Sequence, residues 1–114
     1  MNIFEKLRMF HNIYIKNNFF IQKKTYSMNE EDIFINNYFK KNTGFFVDVG
    51  AYHPLELNNS CLLYKRGWNG INIDISSLSV DYFNYVRPDD TNINIAVTDK
   101  KSIKTIYYQK KNLP

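Results

Sequence analysis

The sequence predicts an open α/β fold built on a parallel sheet, and the order of its segments is the basis for that prediction. Three short, largely apolar runs, at residues 45–49, 69–74 and 92–97, are typical of strands that are buried on both faces. Helical patterns separate these runs at residues 57–66 and 77–86. Alternating strands and helices favour parallel strands joined by right-handed crossovers, and we expect residues 45–49 at the centre of the sheet.

Two helices are predicted ahead of the sheet, so we divide the chain into an N-terminal helical segment, residues 1–43, and a sheet domain, residues 44–114. Apolar side chains recur at spacings of three and four over residues 2–21, which predicts an amphipathic helix docked on a domain or partner. A helix lying on a membrane surface is the other interpretation. Ser27 and Glu30 have the spacing of a capping box and predict the start of a second helix.

Composition and charge exclude several function classes. The net charge is +4, but the lysines are scattered among acids, which favours a solvated surface and disfavours nucleic acid as a partner. The one cysteine, Cys61, excludes an internal disulfide and a cysteine-based zinc site, and it fits a reducing, cytoplasmic location. No apolar run approaches the roughly 18 residues of a membrane span, and charges interrupt the N-terminus where a signal peptide would be apolar.

The candidate chemistry lies at the ends of the first two predicted strands, because ligands of open α/β sheets bind beyond the carboxyl ends of the strands. The first strand leads through Asp48 to Gly50 and Ala51, and the glycine lets the backbone approach a ligand. A carboxylate there suits an ammonium or sulfonium group and repels a pyrophosphate, which disfavours a dinucleotide. Asp74 ends the second strand and can accept hydrogen bonds from both hydroxyls of a ribose, while Ile75 can cover an adenine.

A structural interpretation stays open for these residues. Asp48 and Asp74 can simply cap the helices that follow them. His53 can act as a base or shape the loop together with the proline that follows it. Trp68 can stack on a base, although an aromatic side chain leading into a strand is more often buried in the core.

Several stretches of the chain together resemble the FkbM family of methyltransferases. They are GFFVDVGAYHP from Gly44, NNS from Asn58, LYKRGWNGINID from Leu63 and RPDDTNINIAVTD from Arg87, with a weaker likeness in YSMNEEDIFI from Tyr26. The resemblance implies a Rossmann-like class I methyltransferase fold that binds S-adenosyl-L-methionine. It also implies methylation of a hydroxyl group on a saccharide or another small molecule.

The resemblance assigns cofactor-binding roles to residues of four segments. It places the acid and glycine turn after the first strand at the methionine part of the cofactor, the acid after the second strand at the ribose, and the end of the third strand near the adenine. The acidic segment ahead of the sheet, which contains Glu31, is also part of the resemblance. Ile75 is added because it directly follows Asp74. The candidate cofactor-binding residues are therefore Asp48, Gly50, Ala51, Asp74, Ile75, Ala96, Val97 and Glu31. No catalytic base and no metal ligand is assigned.

We expect the fold to be incomplete. A run at residues 103–108 predicts a fourth strand, whereas the family resemblance implies about seven. A chain with four strands would lack much of the acceptor pocket, show no methyl transfer on its own and self-associate through an exposed sheet edge. The functions left open are a methyltransferase fragment, a truncated remnant or binding module without turnover and, more weakly, a nucleic-acid methyltransferase suggested by the basic charge.

Overall fold

The computed structural model describes residues 2–16 and 23–107. Its helices and strands follow the predicted alternation. In chain order they are α1 (Ile3–His11), a π-helical turn (Asn12–Lys16), α2 (Glu31–Tyr38), β1 (Phe45–Val49), α3 (Cys61–Arg66), β2 (Asn69–Asp74), α4 (Ser77–Val86) and β3 (Thr91–Asn94).

The three strands form one parallel sheet in the order β1-β2-β3, which confirms the predicted α/β class and the parallel pairing. Phe45 pairs with Asn69 of β2, and Ile71 of β2 pairs with Thr91 of β3. The middle strand is therefore β2. The prediction that residues 45–49 are central is wrong for the described part of the chain, because β1 pairs with a neighbour on one side only.

Two predicted strands are shorter than expected or missing. β3 ends at Asn94, so Ile95 and Val97 lie beyond it and are exposed. Residues 103–107 have no regular secondary structure, and the predicted fourth strand is wrong there; residue 108 lies outside the described residues. Ile103 in this segment is fully exposed to solvent. Side chains with a high strand propensity do not form a stable strand unless a neighbouring strand pairs with them.

The predicted capping box at the second helix is also wrong. Glu30 adopts a left-handed backbone conformation, with φ of 62°, and α2 begins at Glu31. The Ser27 hydroxyl instead accepts a hydrogen bond from the Asp32 backbone at 3.1 Å and donates to the Asn58 carbonyl at 3.2 Å. Ser27 therefore ties this segment to the loop ahead of α3.

The predicted N-terminal helix is present over α1 and the π-helical turn, and residues 17–22 lie outside the described residues. A capping box starts α1: Asn2 accepts from the backbone of Glu5, whose side chain accepts from the backbone of Asn2. The helix contributes to a buried cluster that also includes the sole cysteine. Its members are Met9, Ile13, Tyr26, Leu55, Cys61 and Tyr82. The two predicted segments of the chain therefore share one core.

The sheet has two unlike faces, because side chains alternate along a strand and paired residues point the same way. On one side, which we call the open face, large apolar side chains from all three strands lie together. Its large apolar members are Phe45, Val47, Val49, Ile71, Ile73 and Ile93, and the polar residues Asn69 and Thr91 complete the open face. The three β1 members are 64%, 57% and 59% exposed, so the prediction that this strand is buried on both faces is wrong in the described structure.

The opposite side, which we call the covered face, packs against α4. Its members are Phe46, Asp48, Gly70, Asn72, Asp74, Asn92 and Asn94. Only glycine fits at position 70, because a Cβ atom there would collide with the ring and the carbonyl oxygen of Phe46. The covered face is thus closely packed although most of its members are polar.

Candidate functional site

The turn after β1 brings the ends of β1 and β2 together. The amides of Gly50 and Ala51 both donate to the carbonyl oxygen of Ile73, at 2.8 and 3.1 Å. Gly50 has φ of +71°, which favours glycine, and no atom of a described residue other than Gly50 and its two chain neighbours lies within 4 Å of the point that a Cβ would occupy. The backbone at Gly50 is therefore open to the close approach of a ligand, while the Ala51 side chain is buried.

Asp48 lies at the centre of a buried hydrogen-bond network on the covered face. Its Oδ2 accepts from Asn58 Nδ2 at 3.1 Å and from Ser60 Oγ at 2.9 Å. Both of those side chains are held in turn by Arg87, whose guanidinium donates to Ser60 Oγ and Asn58 Oδ1 at 2.8 Å each. The other oxygen, Asp48 Oδ1, accepts no hydrogen bond from the described residues and can receive a donor from a ligand.

The sequence did not predict a role for Arg87, which begins one of the stretches that resemble the family. Arg87 is completely buried, donates to the Pro54 carbonyl at 2.8 Å and lies 3.9 Å from the Asp90 carboxylate. Its guanidinium also lies over the rings of Tyr64 and Phe83. The signal available in the sequence was an arginine at the end of an apolar helix, followed closely by two aspartates.

The network acts on the charge of Asp48. Burial raises the pKa of the Asp48 carboxyl, and the hydrogen bond from Ser60 and the charge of Arg87 oppose that rise. The negative charge of Asp74 raises the pKa further. The charge of Asp74 on β2 therefore acts on Asp48 of the neighbouring strand β1.

Asp74 links the loops that follow β1 and β2. Its Oδ2 accepts from the Tyr52 amide at 2.9 Å, and its Oδ1 accepts from the Ser76 amide at 2.8 Å. The helix cap itself is Ser76, whose hydroxyl accepts from the Ser79 amide of α4. Each carboxylate oxygen keeps room for a second donor, and Asp74 is only half buried. Ile75 beside it is 54% exposed.

Three candidate residues are not brought into this arrangement by any contact among the described residues. Ala96 and Val97 are exposed beyond the end of β3, so their predicted position at a strand end is wrong. Glu31 is exposed in the first turn of α2, and its carboxylate accepts from the Asn29 amide at 2.8 Å. Its neighbour Asp32 is buried and accepts from the Tyr26 amide, which is a structural role.

His53 is buried and shapes the loop. Its Nδ1 accepts from the Leu55 amide at 3.0 Å. Burial, with a smaller contribution from the Arg87 charge, lowers the pKa of His53 to about 4, so the ring is neutral near pH 7. An imidazole with one nitrogen engaged and little solvent contact fits the loop-shaping interpretation better than that of a general base.

Among residues 2–16 and 23–107, no three His, Cys, Asp or Glu side chains are placed to hold a metal ion. No helix in the described part of the chain is long and apolar enough to cross a membrane. Comparisons of the chain with protein-family models, with curated proteins and with solved structures found no match.

Proposed function

We propose that this chain binds S-adenosyl-L-methionine across the carboxyl ends of β1 and β2, as part of an FkbM-type methyltransferase. The observation that supports this best is the presence of two carboxylates, Asp48 and Asp74, on neighbouring parallel strands near the open backbone at Gly50. Cofactors of open α/β sheets bind at such an edge. Two acids and a single glycine suit a cationic, ribose-containing ligand better than a pyrophosphate.

The residues present fit that cofactor in chemistry and in space. The open approach at Gly50 leaves room against the backbone, and Asp48 keeps a free acceptor atom for an ammonium group. Asp74 keeps one acceptor position on each oxygen for ribose hydroxyls, and Ile75 offers an exposed apolar surface to a base. When bound, S-adenosyl-L-methionine supplies a methyl group carried on a positively charged sulfur.

The work of the protein in such a transfer is positioning. Asp48 and Asp74 would orient the cofactor from two sides, and the acceptor would be a hydroxyl group of a saccharide or another small molecule. We assign no catalytic base, since the buried His53 has its Nδ1 engaged. We place this activity in the cytoplasm, in keeping with the single reduced cysteine.

A binding module without turnover is the second candidate. It is favoured by His53, which is buried with its Nδ1 engaged and so offers no general base beside the candidate acids. The two candidates share the cofactor site and differ in whether a methyl group is transferred.

The deciding experiment is a calorimetric titration of the chain with S-adenosylhomocysteine. We expect Asp74→Asn to weaken binding by about 1.5–3 kcal/mol, the range for a hydrogen bond to a charged group, or roughly ten- to a hundredfold. Asp81→Asn, on α4, removes the same charge away from the strand ends and should bind as the wild type does. Equal affinities for Asp74→Asn and Asp81→Asn would reject the site. Transfer of a labelled methyl group to a saccharide would then identify an enzyme, whereas binding without transfer fits a binding module and also the methyltransferase fragment expected from the sequence.

A further inference from the structure

The N-terminal helix touches the rest of the protein with a narrow face. Met9, Asn12 and Ile13 are the buried residues of α1 and the π-helical turn, and Asn12 Nδ2 lies 3.5 Å from the hydroxyl of Tyr82. The helix therefore docks on the domain, as one of the two predicted interpretations has it. Few of the apolar side chains that make the helix amphipathic take part in this contact.

The opposite side of α1 is broad, apolar and exposed. Ile3, Phe4, Leu7 and Phe10 are 62%, 79%, 58% and 47% exposed. At the helical rotation per residue, these four side chains fall within an arc of about 120°. The Phe10 ring packs on that of Tyr14, 4.8 Å between centroids, and Tyr14 in turn packs edge-on against Tyr85 of α4, so the apolar surface meets the domain at this turn. We call this surface the N-terminal apolar stripe.

The whole excess of positive charge lies in the same part of the sequence. Residues 1–24 contain five lysines and arginines against one acid, whereas residues 25–114 contain ten basic and ten acidic side chains. The one acid, Glu5, is engaged in the capping box of α1. The net charge of +4 thus belongs to the segment that carries the N-terminal apolar stripe.

We propose that α1 lies flat on an anionic lipid bilayer, with the N-terminal apolar stripe inserted at the boundary between headgroups and acyl chains. Helices that combine exposed Phe and Leu side chains with flanking basic residues bind membranes in this way. Lipid phosphates attract the basic side chains while the acyl chains receive the apolar ones.

Other partners fit this surface less well. Nucleic acid would attract the charge, but it would leave four large apolar side chains in water. A second copy would cover the apolar stripe, but it would bring two segments of like charge together. A bilayer would cover the exposed apolar side chains and would also attract the positive charge. The proposed membrane contact does not involve the cofactor site at the strand ends.

The experiment is flotation of the full chain with two kinds of vesicle, one of phosphatidylcholine alone and one of equimolar phosphatidylcholine and phosphatidylglycerol. We expect flotation with the anionic vesicles only. Phe4→Glu should weaken it by at least about tenfold, because a charge replaces an apolar side chain that becomes buried in the boundary. Phe4 is largely exposed, so the circular dichroism spectrum should not change. Phe34→Glu, at a 72% exposed phenylalanine of α2, is the matched control and should float as the wild type does.

Each contrary result overturns the proposal in a recognisable way. Absence of flotation, or equal flotation of Phe4→Glu and the wild type, would reject the membrane contact. Equal flotation with uncharged vesicles would reject the need for anionic lipid. Retardation of duplex DNA without flotation would identify nucleic acid as the partner. A dimer that Phe4→Glu dissociates, again without flotation, would identify a second copy.

Discussion

The two faces of the sheet carry opposite kinds of side chain. The covered face, beneath α4, presents Asp48, Asn72 and Asn92, and it is held by hydrogen bonds and by buried Arg87. The open face presents aliphatic and aromatic side chains, and its β1 members are more than half exposed. In most sheets with one solvated face the apolar side is the covered one.

This difference shows that apolar side chains alone do not determine where a helix packs. The covered face tolerates burial of most of its polar groups because they pair with one another: Asn72 Nδ2 donates to Asp90 Oδ2 and to Asn92 Oδ1, each at 2.9 Å, although Asn72 Oδ1 is buried without a partner among the described residues. A buried polar group is costly only when it lacks a partner. The covered face therefore depends on specific partners, whereas the open face has apolar surface left to bury.

The largest effect should come from removing the centre of the polar network. We expect Arg87→Met to lower the free energy of unfolding by about 3–5 kcal/mol, because the buried Asp90 carboxylate loses its countercharge and the donors to Asp48 lose their orientation. Urea denaturation measures the change. Arg66→Met is the control: Arg66 is only partly buried and should cost about 1 kcal/mol. A similar cost for both variants would contradict the dependence of the covered face on its partners.

A smaller effect should appear on acidification. The pKa of His53 is about 4 when folded and 6.5 when unfolded, so the unfolded chain takes up the proton first as the pH falls. The stabilisation from a neutral His53 is complete above pH 6.5 and is lost between about pH 6.5 and pH 4, up to about 3 kcal/mol.

The raised pKa of Asp48 acts in the opposite direction, since its contribution is lost as the pH rises. His53→Asn isolates the histidine, because the variant keeps Asp48 and removes only the imidazole. We expect denaturation midpoints of the wild type to fall more steeply than those of the variant over this pH range. Parallel curves for the two proteins would show that His53 is not held neutral.

The smallest effect on stability should come from the open face. Val47 is 57% exposed on an edge strand, so Val47→Lys should change the free energy of unfolding by no more than about 0.5 kcal/mol. It should nevertheless reduce self-association, because a charge on an edge strand opposes pairing with another chain. Sedimentation velocity measures this, with Ile103→Lys as the control that adds the same charge at an exposed site elsewhere. Equal association of the two variants would argue against the open face and its edge as the contact.

The strands were predictable where a short apolar run has a paired neighbour. β1 and β2 have the bounds that the sequence predicts, and both candidate acids lie at or next to the strand ends. Val97 shows the limit: its apolar run continues past Asn94, but the strand does not, since pairing with β2 ends at Asp74. Strand length depends on the partner strand, which local sequence does not contain.

The polar network was not predictable for a related reason. Arg87 reaches Ser60 and Asn58 across 27 and 29 residues of sequence, and no local pattern links an arginine to partners so far away. The open face escaped prediction as well, because a continuous apolar run has the same composition whether one face or both faces are covered. Side-chain identity placed the candidate acids, while the tertiary fold determined which groups hold them.

The buried cysteine provides a way to measure transient opening of the protein's core. Cys61 is 1% exposed within the cluster that joins α1 to α4, and burial raises the pKa of its thiol. A thiol that is both enclosed and protonated reacts slowly with alkylating reagents until the surrounding side chains separate. The rate of alkylation at one defined atom therefore reports how often this core opens.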